Sequence, residues 1–101
     1  MDRIASLKEL LADNPNDFFA HYALAMEYSK AGDIDGALAE YQRVIAINAD
    51  YTAAYQMAGQ MLASAGRSDE ARQMLQTGIA SAQRAGNQHA ASEMQGMLEL
   101  L

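Results

Sequence analysis

The chain contains no cysteine and no tryptophan, and proline occurs once, at Pro15. Without cysteine there is no disulfide framework, no thiolate zinc site, no thiol nucleophile and no iron–sulfur cluster. β-Branched residues are scarce as well: Val, Ile and Thr together number 8 of 101. With seven glycines and a single proline, turn chemistry for an all-β fold is thin. Basic residues number seven against thirteen acidic ones, for a net charge of −6. The seven are scattered, so no positive strip tracks a nucleic-acid backbone or an anionic membrane. No run reaches the ~18–20 apolar residues of a membrane span. The start, Met1-Asp2-Arg3-Ile4, lacks the basic and apolar regions of a signal peptide. A cytoplasmic protein that contacts neither nucleic acid nor membrane is expected.

What is abundant is alanine, with 21 residues, then leucine with 10 and glutamine with 8. Alanine and leucine cost least in a helix, so the chain reads as all-α. Half the residues are apolar, enough to bury a core in a single domain of this length.

The chain also repeats itself. Shifted by 34, Ala20-His21-Tyr22-Ala23-Leu24-Ala25 falls on Ala54-Tyr55-Gln56-Met57-Ala58-Gly59. Ala31-Gly32-Asp33-Ile34-Asp35-Gly36-Ala37 falls on Ala65-Gly66-Arg67-Ser68-Asp69-Glu70-Ala71. A 34-residue period with a glycine at mid-repeat is a helix–turn–helix unit. Six helices are expected, at Asp2–Ala12, Asp17–Ala31, Ile34–Asn48, Tyr51–Ala65, Ser68–Ala85 and Asn87–Leu100. Gly32, Gly66 and Gly86 should end helices. Asp33 or Asp35, Ser68, and Asn16 or Asp17 should cap the helices that follow. Leu24, Tyr28, Leu38, Tyr41 and Ile45 follow helical spacing and should be core.

These residues resemble the tetratricopeptide repeat (TPR) family. Counting a first repeat from Phe18, Leu24, Ala25, Tyr28, Gly32, Ala37 and Tyr41 stand at the family's positions 7, 8, 11, 15, 20 and 24. Counting a second from Thr52, Tyr55, Gly59, Gly66, Ala71 and Leu75 stand at positions 4, 8, 15, 20 and 24. Departures are His21 at position 4, Leu62 at position 11, Val44 and Gly78 at position 27, and Ala49 and Gln83 at the closing position. The resemblance implies a half repeat over 1–17, repeats over 18–51 and 52–85, and a C-terminal capping helix over 86–101. The implied fold is a right-handed α-α superhelix of antiparallel helix pairs. Ala25 with Ala37, and Gly59 with Ala71, should mark close helix crossings.

The resemblance also implies a non-enzymatic module that binds a protein or peptide in a concave groove, with no cofactor. In the family, positions 2, 5, 9, 12 and 13 line that groove. Here they are Phe19, Tyr22, Met26, Ser29 and Lys30 in the first repeat. The second supplies Ala53, Gln56, Gln60, Ala63 and Ser64, and the last helix Asn87, Ala90, Met94 and Met97. Phe19, Tyr22 and Met26 form an apolar, partly aromatic floor, and Gln56 and Gln60 offer amides to a peptide backbone. The family's carboxylate clamp needs a basic residue and an asparagine where Tyr22 and Met26 stand, so a chaperone C-terminus is not the expected ligand. A competing reading has Phe19 and Tyr22 packed on the N-terminal helix.

The alternative function is structural. Met94, Met97, Leu98 and Leu101 recur at i, i+3, i+4 and i+7, an apolar stripe that would join two copies as a homodimer. Among groups able to do chemistry, Asp33 and Asp35 read as helix caps rather than a general acid–base pair. His21 reads as a packed histidine. Neither His21 nor His89 has a second metal ligand expected at i+3 or i+4. No phosphate loop, nucleophile elbow or HExxH motif is present.

Overall fold

The structure, a computed structural model, describes residues 2–101. Among them the backbone forms six α-helices and no strand: α1 (Arg3–Asp13), α2 (Phe18–Lys30), α3 (Ile34–Ile47), α4 (Thr52–Ser64), α5 (Ser68–Arg84) and α6 (Gln88–Glu99). The all-α expectation holds, and each helix bound falls within one residue of the span expected from sequence. The chain divides into two compact units, Met1–Asn48 with α1 to α3 and Ala49–Leu101 with α4 to α6.

Local chemistry sets the helix ends. The carboxylates of Asp2, Asp17 and Asp33 and the side-chain amide oxygen of Asn87 accept from the N–H groups of Ile4, Ala20, Gly36 and Ala90, at 2.9–3.2 Å. Each bond satisfies an N–H that the helix itself leaves without a partner. Gly32, Gly66 and Gly86 hold φ of +83°, +78° and +72°, the left-handed conformation that closes a helix. The residue after each, Asp33, Arg67 and Asn87, donates its N–H to the carbonyl five positions back, on Tyr28, Leu62 and Ala82. That turn places Arg67, not Ser68, at the cap of α5, and Ser68 is the first helical residue. No side chain caps that end; instead the Arg67 guanidinium grips Glu70 in the first turn, at 2.8 and 3.1 Å.

In the first unit Ala20, Leu24 and Ala25 of α2 pack with Ala37, Tyr41 and Val44 of α3. Tyr28, Leu38 and Ile45, expected in the core, are only half-buried. α1 contributes no buried side chain. It is tied to α2 by Arg3 on Glu27 at 3.4 Å and by Lys8 over the Tyr28 ring. Leu10 is 47% exposed, although it stands 34 residues before the fully buried Val44. The position is apolar in both helices, but only in α3 is it buried.

The second unit is more fully packed. Ala54, Tyr55, Ala58, Met61 and Leu62 of α4 meet Ala71, Leu75 and Ala82 of α5 and Ala90, Ala91 and Met94 of α6. Gly59 lies against Leu75, whose Cδ2 would stand 2.5 Å from an added Cβ, and Ala71, one turn earlier on α5, is fully buried.

One tether recurs in both units. Tyr55 Oη donates to the Ala49 carbonyl at 2.7 Å, and 34 residues earlier His21 Nε2 lies 2.7 Å from the Pro15 carbonyl. The first large side chain on the inner face of α2 or α4 thus ties that helix to the loop leading into it.

Candidate functional site

Of the residues expected to meet a partner, those on α2 lie at i, i+3, i+7, i+10 and i+11. Phe19 is 62% exposed, Tyr22, Met26 and Ser29 are half-buried, and Lys30 is exposed. Asp17 caps this helix and so fixes where Phe18 and Phe19 emerge. Their rings stack with centroids 5.4 Å apart. Tyr22 sets its ring at 66° to Tyr41 of α3, with centroids 5.9 Å apart, and Lys30 Nζ lies 3.4 Å from Glu27. Of the two rings that the competing reading packs on the N-terminal helix, Phe19 is the more exposed and Tyr22 is half-buried. Burial first, and then the neighbouring Tyr22 phenol, pushes the Tyr41 phenol up to about 12.

In the second unit Gln56 and Ala63 of α4 are half-buried and Gln60 is exposed. Gln56 Nε2 reaches Glu93 of α6 at 3.5 Å, and the other oxygen of that carboxylate lies 2.9 Å from His89 Nε2. Glu93 does stand four residues after His89, a spacing that the expectation of no second ligand overlooked. Among the described residues, however, no group of three or more His, Asp or Glu is placed to hold a metal ion.

The α6 residues assigned from sequence are only partly in place. Ala90 and Met94, expected to face a partner, are buried, with Met94 at 0% exposure. The buried trio Ala90, Ala91 and Met94 repeats the burial of Ala54, Tyr55 and Ala58, displaced by 36 residues rather than 34. The cause is local: α5 has 17 residues where α3 has 14, and the connection after it is one residue shorter. The same burial removes Met94 from the self-association stripe. Met97, Leu98 and Leu101 are half-buried, and Leu100, outside the stripe, is the leucine that is 89% exposed. Beside them an open depression of about 330 Å³ between α5 and α6 is lined by Ile79, Gln83, Gln88, Ala91, Ser92, Gln95, Gly96 and Glu99. Its glutamines and carboxylate suit a solvated outer face better than an apolar joint.

Asp33 caps α3 through Gly36 and Asp35 lies in its first turn, as the capping reading expected. The feature that sequence reasoning missed is the pair formed by His21 and Glu40. Both side chains are buried, and His21 Nδ1 lies 2.8 Å from Glu40 Oε1. Glu40 had no signal of its own, since an acidic residue within a helix normally marks a solvated face.

Family models described as tetratricopeptide repeat match residues 28–94 and 6–39. The chain belongs to the tetratricopeptide repeat family. The TPR repeat-containing protein PA0015 of Pseudomonas aeruginosa is 30% identical over 98 residues, covering 97% of this chain and 93% of the relative. A TPR domain protein from Salinibacter ruber, solved by NMR, superposes with a TM-score of 0.74 at 32% identity, covering 84% of this chain and 86% of that one. The TPR2B domain of yeast Sti1, solved in complex with pHsp70, superposes with a TM-score of 0.84, covering 95% of this chain and 77% of that one. Its identity is 16%, so that likeness is one of fold. TPR domains are in general protein–protein interaction modules. Among the described residues no helix is long and apolar enough to cross a membrane.

Proposed function

We propose that this TPR protein is a non-enzymatic module that binds a protein or peptide segment along α2. Phe19, Tyr22 and Met26 are the apolar anchors, with Ser29 and Lys30 at the far end of the same helix. The observation that carries the reading is Phe19, a large ring 62% exposed beside a stacked second ring on a well-capped helix. An aromatic held this way offers contact area with little conformational entropy left to lose. Gln56 and Gln60 on α4 offer amide groups suited to a peptide backbone. The Sti1 domain has the same fold and holds a partner, and the carboxylate-clamp residues are replaced here by Tyr22 and Met26, which favours an apolar ligand over a free C-terminus.

The test is capture of partners from the native proteome by the intact protein, alongside Phe19→Ser and Met26→Glu. A partner retained by the wild type and lost by both variants, with helicity unchanged, is the expected result. A partner that binds all three equally places the contact elsewhere. If light scattering shows a dimer that Leu98→Glu dissolves, self-association is the function instead.

A further inference from the structure

His21 and Glu40 form a buried hydrogen-bonded pair inside the first unit, and its hydrogen bonds specify a proton. The Pro15 carbonyl can only accept, so His21 Nε2 donates to it across 2.7 Å. The other ring nitrogen faces Glu40 Oε1 at 2.8 Å. An ionised carboxylate also only accepts, and its second oxygen already accepts from the Arg43 guanidinium. One proton must therefore lie between His21 and Glu40 in addition to the one on Nε2. Without it, a nitrogen lone pair and a carboxylate would face each other in a site where both residues are more than nine-tenths buried.

The second unit shows what this arrangement replaces. At the corresponding positions, 34 residues on, stand Tyr55 and Met74. Tyr55 makes the same tether, to the Ala49 carbonyl, with a hydroxyl that needs no carboxylate beside it. The first unit makes that tether with a ring that has a second nitrogen to satisfy, and Glu40 is the group that faces it.

We propose that His21, Glu40 and the Pro15 carbonyl form a proton-dependent latch that joins the α1–α2 loop, α2 and α3, and that opens when the pair gives up its shared proton. Several other charged groups on these elements are engaged elsewhere. Asp17 accepts from the Ala20 N–H and Asp33 from that of Gly36. On α1, Arg3 meets Glu27 and Lys8 lies over the Tyr28 ring. α1, with no buried side chain, is the helix least able to hold its place once the loop is released.

The latch does not depend on the proposed ligand, and its test uses the whole chain without one. Ring ¹⁵N shifts of His21 are followed with rising pH, together with amide protection factors, which correct for intrinsic exchange. In the closed latch both His21 nitrogens carry protons. As one is lost, protection from Asn16 to Leu24 should fall at least about tenfold, as expected for loss of one hydrogen bond to a charged group. Amides around Tyr55 should not follow. Glu40→Gln supplies an amide N–H to a neutral His21 and keeps the tether, so the pH response should vanish. The latch is overturned if His21 loses its proton with protection unchanged, or if Glu40→Gln shows the same fall as the wild type. Should Glu40→Gln fail to fold, the wild-type titration decides alone, with the second unit as its internal control.

Discussion

Tyr55 and Gly78 meet side chain to backbone: a Cβ added at Gly78 would stand 2.5 Å from Tyr55 Cβ and 2.7 Å from Met94 Sδ. The corresponding positions in the first unit hold His21 and Val44, so the larger ring is matched with glycine and the smaller one with valine. Gly78→Ala should therefore destabilise the protein, by about 1–3 kcal/mol for an overpacked core, despite alanine's better helix propensity. Urea denaturation checks this, and a neutral or stabilising result would mean that Tyr55 and Met94 repack freely.

Gly96 gives the opposite expectation. It lies within α6 with ordinary helical backbone, and a Cβ there would meet nothing within 4 Å. Gly96→Ala should stabilise by about 0.5–1 kcal/mol through lower unfolded-state entropy. The readout is a raised midpoint with an unchanged denaturant slope.

Tyr41 makes stability fall in alkali. Its phenol loses its proton at about 12 in the folded protein and near 10.0, the ordinary tyrosine value, in the unfolded chain. Between those values the unfolded chain binds fewer protons than the folded one, so unfolding becomes easier as pH rises. The contribution is complete below pH 10 and is lost as pH passes through 12, to a limit of roughly 2–3 kcal/mol. Tyr41→Phe should flatten that limb of the stability profile, measured by denaturation between pH 9 and 12.

Asp33 is the side-chain cap of α3. Asp33→Ala removes the bond to the Gly36 N–H and should cost about 1 kcal/mol. Thermal melts decide; an unchanged midpoint would mean that the cap is not a stabilising contact.

Much of this molecule is legible from its residues alone. Capping aspartates, glycines at 32, 66 and 86 and an alanine-rich 3.6-residue pattern act over one or two turns, and they determined the six helices nearly to the residue. The 34-residue period determined the family. The α2 face was legible too, since Phe19, Tyr22 and Met26 are read by counting along one capped helix. The register of α6 was not. Burial, not sequence spacing, shows that Met94 belongs inside, because the extra length of α5 shifts every later position.

The His21–Glu40 pair belongs wholly to tertiary structure. Its two residues are 19 apart on different helices, and neither carries a local signal that the other is its partner. Sequence determines what is settled within a helical turn. Which charges are buried together, and which rings stay in water, is decided only when the helices pack, because desolvation depends on neighbours that the chain brings from afar.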